Sequence, residues 1–104
     1  MRYEYLLPAG GWTFLTNHAH VLLALSRDPD SRLRDVAQSV GITERAAQTI
    51  VSDLEAAGYL HRERVGRRNH YTINPLAPFR HPIERHRHIG ELLELLGAAV
   101  DVRS

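Results

Sequence analysis

Residues 43–52, TERAAQTIVS, carry Thr43, Glu44, Arg45, Gln48, Thr49 and Ser52 at spacings that gather them on one side of a helix. These types suit the reading of nucleobase edges. Arginine grips guanine O6 and N7, glutamine grips adenine N6 and N7, and threonine or serine reaches phosphates or a thymine methyl. A merely solvated helix face carries glutamate and lysine in charge pairs, whereas this one holds mostly uncharged hydrogen-bonding groups and one guanidinium. A second group, Arg64, Arg67, Arg68 and Asn69, surrounds Gly66. Adjacent arginines on a turn suit a phosphate backbone or a narrow minor groove. The competing reading of that turn is a charged edge hairpin that resists sheet aggregation.

The elements that must hold these groups follow from hydrophobic spacing. Leu33, Val36, Ala37 and Val40 recur at i, i+3, i+4 and i+7, one stripe on a short helix. Gly41 ends it, Ile42 tucks into the turn, and Thr43 offers its hydroxyl as the next N-cap. Ala47, Ile50, Val51 and Leu54 repeat the stripe on a second helix that stops at Gly58. Two short helices joined by a glycine turn describe a helix-turn-helix. Upstream, a helix is predicted over Asn17–Ser26, capped by Thr16 or Asn17, with Ala19, Leu22, Leu23 and Leu25 buried. Residues 27–30, Arg-Asp-Pro-Asp, form a turn, and Ser31–Leu33 leads on through one short strand. After Gly58 the period falls to two: residues 59–64 and 70–73 read as strands around a tight tip at 65–69.

The stretch LRDVAQSVGITERAAQTIVSDLEAAGYLHRERVGRRNHYTI then resembles the winged helix-turn-helix of bacterial transcription regulators of the MarR-like and ArsR-like kind. The marks are the LRDVA helix, the GIT turn, the helix ending DLEAAGYL and a wing with Gly-Arg-Arg-Asn, so that residues 17–74 carry the likeness. The resemblance implies that the second helix of the motif enters the major groove and the wing touches the flanking minor groove or backbone. Carried over, these roles fall on Thr43, Arg45, Gln48, Thr49 and Ser52, and on Arg67 and Arg68. Two departures stand out. ArsR-like proteins often sense metals through cysteines, and this chain has none. MarR-like proteins are usually longer, with a ligand crevice between domains that this chain has little material to build.

Composition bounds the remaining possibilities. A chain of 104 residues forms one domain, long enough to bury on the order of 65% of its unfolded surface. Without cysteine there is no disulfide framework and no thiolate metal site. No apolar run reaches the length of a membrane span and no leader pattern opens the chain, so a cytoplasmic location without membrane contact is expected. The net charge is only +1, but it is unevenly placed. Residues 61–88 hold seven arginines against two glutamates, a local excess of five, and five of the seven histidines add to it in acid. His18 and His20 diverge on a helix and cannot share a metal; His18 reads as a buried or interfacial hydrogen-bonding group. Among Arg80, His81, Arg85, His86, Arg87 and His88, the arginines would repel a cation, so a DNA-flanking or solvated basic segment is expected. Catalytic motifs are missing, and neither an enzyme, a cofactor nor a metal is predicted.

The two ends are read as packing material. Residues 1–15 form an arm with Tyr3, Tyr5, Trp12 and Phe14 as aromatic anchors. Pro75, Pro78 and Pro82 separate the wing from a helix expected to begin at Ile83. Its stripe of Ile89, Leu92, Leu93, Leu96 and Val100 is expected to pair with a second copy, helped by Trp12. The whole is thus predicted to be mainly α with a small β-hairpin: an arm (1–15), a DNA-binding core (16–74) and a dimerisation helix (82–100). Its expected role is that of a homodimeric repressor on double-stranded DNA, acting by occlusion, with half-sites about 34 Å apart. The alternatives are a winged-helix protein–protein module and a metal- or small-molecule-responsive sensor of the same fold. No small-molecule effector is named by the sequence.

Overall fold

A computed structural model describes residues 11–101, with side chains to Gly97. Tyr3 and Tyr5 lie outside the described residues. The chain runs α1 (Asn17–Arg27), α2 (Leu33–Val40), α3 (Glu44–Ala56), β1 (Leu60–Val65), β2 (Arg68–Ile73) and α4 (Ile89–Asp101). No helix among the described residues is long and apolar enough to cross a membrane.

The first three helices pack on one another around a core of Val21, Leu22, Leu25, Val36, Ile50, Val51 and Leu54. Thr16 caps α1 by accepting from the Ala19 amide at 3.3 Å. Val21 joins Leu22 and Leu25 as the buried side of α1, while Ala19 and Leu23, expected there, are only half-buried. The α2 helix ends where Gly41 turns left-handed at φ 89°, so the amides of Gly41 and Ile42 both return to the Ala37 carbonyl. Thr43 then caps α3, accepting from Ala46 at 3.0 Å; losing such a cap costs about 1 kcal/mol.

The hairpin is antiparallel, with Leu60 opposite Ile73 and Val65 opposite Arg68. The first strand is shifted by one residue and the second begins two residues earlier than the alternation suggests, so the tip is only Gly66-Arg67. Gly66 alone carries positive φ, at 63°, the II′ pattern of a two-residue turn. Between α1 and α2 the expected strand is reduced to one bond, from the Tyr71 amide to the Pro29 carbonyl at 2.9 Å.

The C-terminal helix starts six residues later than Ile83. Residues 74–88 form an irregular excursion closed by a bridge between Pro78 and His88, with turns joining His81 to Glu84 and Glu84 to Arg87. The excursion is anchored by Tyr59, whose hydroxyl donates to the Pro78 carbonyl and whose carbonyl accepts from Asn74. Burial raises the Tyr59 pKa, so the phenol stays protonated as a donor. Helix α4 begins where the amides of Ile89 and Gly90 find the carbonyls of Ala77 and Pro75, at 2.8 and 2.9 Å. Glu91 completes the start by accepting from the His88 amide at 3.1 Å, a bond that holds its carboxyl below the usual range. Ile89 is consequently buried in the core, and Leu92 and Leu93 pack against it.

Gly90 is where this docking is tightest. A Cβ there would meet the Cβ and carbonyl oxygen of Pro75 at 2.8 Å, whereas Gly97 has open space around it. Gly90→Ala should therefore cost about 1–3 kcal/mol of overpacking, while Gly97→Ala should add up to about 1 kcal/mol through helix propensity. Urea unfolding of the two variants checks the opposite signs.

Candidate nucleic-acid interface

Burial of Ala47, Ile50, Val51 and Leu54 turns the other side of α3 to solvent. Thr43, Glu44, Arg45, Gln48, Thr49 and Ser52 are all exposed there, on one continuous face. Two of the hydroxyls have local work. Thr43 is the α3 cap, and the Thr49 hydroxyl donates to the Arg45 carbonyl at 3.2 Å. Beside them Glu44, Arg45, Gln48 and Ser52 are exposed.

The wing stands beside this face because several bonds hold it. Arg62 on β1 donates to Glu55 near the end of α3 at 2.8 Å. Burial opposes the Arg62 charge, but the bonds and charges of Glu55 and Tyr71 outweigh it and lift its pKa. His70 on β2 pairs with Asp30 at 2.7 Å, and the Arg68 guanidinium reaches the Asp30 carbonyl at 3.4 Å. Arg64 folds back on the tip, donating from Nε to the Gly66 carbonyl at 3.1 Å. Arg67 and Arg68 are exposed and Asn69 is half-buried. Between hairpin and helix lies a cleft of about 680 Å³, whose walls include Gln48 and Ser52 of α3 and Arg62, Arg67, Arg68 and Asn69 of the hairpin. Arg62, Asp30 and His70 were not singled out from sequence. The half-buried place of Arg62, two residues from buried Leu60 on the same strand face, is the signal that marks it.

Residues 13–68 match the MarR family. The chain belongs to the MarR family. Among solved structures it is similar to the Mycobacterium tuberculosis MarR family protein Rv2887 in complex with salicylic acid, at 26% identity and a TM-score of 0.53 over 86% of this chain. It shares its fold with the PcaV transcriptional regulator from Streptomyces coelicolor in complex with its natural ligand, at 21% identity and a TM-score of 0.54 over 93% of this chain. The chain spans 62% and 67% of the lengths of these two proteins. No curated protein matches it.

In this MarR family chain a second hollow, of about 440 Å³, lies between the start of α1, the end of α3, the 79–84 segment and α4. Phe14, Leu22, Leu54, Phe79, Ile89 and Leu92 give it apolar walls, and His18, Asp53, Arg80, His81 and Glu84 stand among them. His18, expected to be a buried or interfacial hydrogen-bonding group, makes such a bond, to Asp53 of α3 at 2.8 Å, and is exposed rather than buried in the protomer. Among the described residues no three histidines and carboxylates gather as a metal site.

The stripe expected to face a second copy is divided by the fold. Ile89 is 6% exposed and Leu92 and Leu93 lie on the core, so these residues serve their own protomer. Leu96 is half-buried, and the side chain of Val100 lies outside the described residues. Leu95 is 70% exposed and Trp12 63%, with Trp12 set edge-on to Phe14 at 5.4 Å. Leu95, next to Leu96 of that stripe, is thus an open apolar residue of α4.

Proposed function

We propose that this MarR family chain is a sequence-specific double-stranded DNA-binding regulator, acting as a homodimeric repressor. The observation that carries the reading is the exposed α3 face, where Arg45, Gln48 and Ser52 stand out beside an arginine-bearing hairpin. Arg45 and Gln48 supply base readout, and Arg67 and Arg68 supply sequence-blind attraction to phosphate. Repression then follows from occupancy of a promoter by the bound protein. Arg64, turned onto Gly66, shapes the tip and contributes charge.

Selection of duplexes from a random pool, followed by titration, tests this. Arg45→Ala or Gln48→Ala should relax base preference at single positions, at about 1–3 kcal/mol for each lost bidentate contact. Arg67→Ala with Arg68→Ala should weaken binding to every duplex alike and flatten its salt dependence. A protein that retards no DNA in a gel at low salt would instead be the protein–protein module.

Two copies would meet over Trp12, Phe14 and Leu95, which are among the large apolar groups the core leaves exposed, with half-buried Leu96 beside Leu95 in sequence. Sedimentation equilibrium should give twice the 11.8 kDa chain mass, and Leu95→Arg should return it to monomer. A monomeric parent chain would remove the dimer from the proposal.

The apolar hollow beside α3 favours a second, compatible reading, control by a small molecule. Rv2887 is seen with salicylic acid and PcaV with its natural ligand. By analogy, salicylate should raise the melting temperature of this chain and shift its DNA affinity. An unchanged melting curve and titration at millimolar salicylate would end that analogy for aromatic carboxylates.

A further inference from the structure

The major and minor grooves of a duplex are divided by a single sugar–phosphate strand. With α3 in one groove and the wing tip in the next, as proposed above, that strand has to pass between helix and hairpin. The cleft of about 680 Å³ occupies this place. Its hairpin side carries Arg67 and Arg68, and Arg32, immediately before α2, lines it from another element.

Arg32 is prepared for a ligand by its backbone. Its carbonyl accepts from the amides of Asp35 and Val36 at 3.0 and 3.1 Å, which fixes the residue at the start of α2. Its side chain makes no capping bond and is exposed. The other charges in the cleft are differently placed. Arg62 is matched by Glu55, and Asp30 is hydrogen-bonded to His70. Glu44 is the remaining carboxylate there, set against Arg32, Arg67 and Arg68.

We propose that Arg32 is a phosphodiester ligand, and that with Arg67 and Arg68 it clamps the DNA strand running between α3 and the wing. The planar guanidinium offers paired N–H donors to the phosphate oxygens, a charge-assisted contact that carries no base information. It would set how deeply α3 sits in the groove and leave the choice of bases to α3 itself. This rests on the DNA-binding reading.

The test uses the full chain, a selected duplex and a random one, with fluorescence anisotropy over a potassium chloride series. Arg32→Ala should lower affinity for both duplexes roughly ten-fold and reduce the log–log salt slope by about 0.9, the share of one phosphate. Arg32→Lys should restore the slope and only part of the affinity. Arg34→Ala, an exposed arginine of α2 outside the cleft, should leave both nearly unchanged. Parent-like affinity and slope in Arg32→Ala, or an equal loss in Arg34→Ala, would overturn the clamp while leaving DNA binding intact. A parent protein that binds neither duplex would overturn both together. Far-UV circular dichroism of each variant separates contact from unfolding.

Discussion

Helix α3 has one side that must be hidden from water, and the rest of the molecule is arranged around hiding it. Ala47, Ile50, Val51 and Leu54 are buried against neighbours that include α1 and α2, and each large aliphatic chain so placed is worth about 1.5–3 kcal/mol. Because a helix repeats every 3.6 residues, covering that stripe fixes which residues remain outside. The exposed face of Glu44, Arg45, Gln48, Thr49 and Ser52 is therefore a consequence of the core. Rotating α3 to present other side chains would bring polar groups into an apolar interior, where unpaired ones are costly.

The hairpin depends on the same core but is steered by polar bonds. Tyr71 is buried while the tip is exposed, so packing grips the root of the wing and leaves its direction open. Arg62 to Glu55 ties β1 to α3, and His70 to Asp30 ties β2 to the turn before α2. The side chains of these pairs are 30% to 62% exposed, where salt screens them, so their value lies in direction more than in stability. They also occupy Arg62 and Asp30 within the protein, which leaves Arg32, Arg67 and Arg68 beside one carboxylate, Glu44, in the cleft.

Local order was legible in the sequence wherever neighbours in the chain decide it. The stripes of α2 and α3, the Gly41 turn, the Thr43 cap and the hairpin around Gly66 all rest on contacts a few residues apart. What escaped was decided at longer range. Helix α4 starts at Ile89 because the carbonyls of Ala77 and Pro75 wait for its first amides, and no periodicity announces that. The same docking draws Ile89 into the core and leaves Leu95 outside. In the candidate interface, the helix and tip residues followed from spacing. Arg32 and Arg62 did not, because their meaning comes from a hairpin folded back beside α2 and α3.

The arrangement divides two tasks that a single charged surface would confuse. On the Thr43–Ser52 face of α3 the outward groups are one guanidinium, one carboxylate and several neutral donors and acceptors, while Arg32, Arg67 and Arg68 of the cleft belong to the hairpin and to the start of α2. Attraction to phosphate is long-ranged and indifferent to sequence, whereas hydrogen bonds to base edges act only at contact. Had the arginines been spread along α3, strong binding to any duplex would have masked the smaller differences between bases. Placed on separate elements, as in the proposed complex, they would hold a polyanion in register while the face of α3 makes the comparison. In the proposed complex Glu44 would sharpen this division: a carboxylate among the arginines of the cleft would lower attraction to phosphate at large and penalise every base edge that offers it no donor.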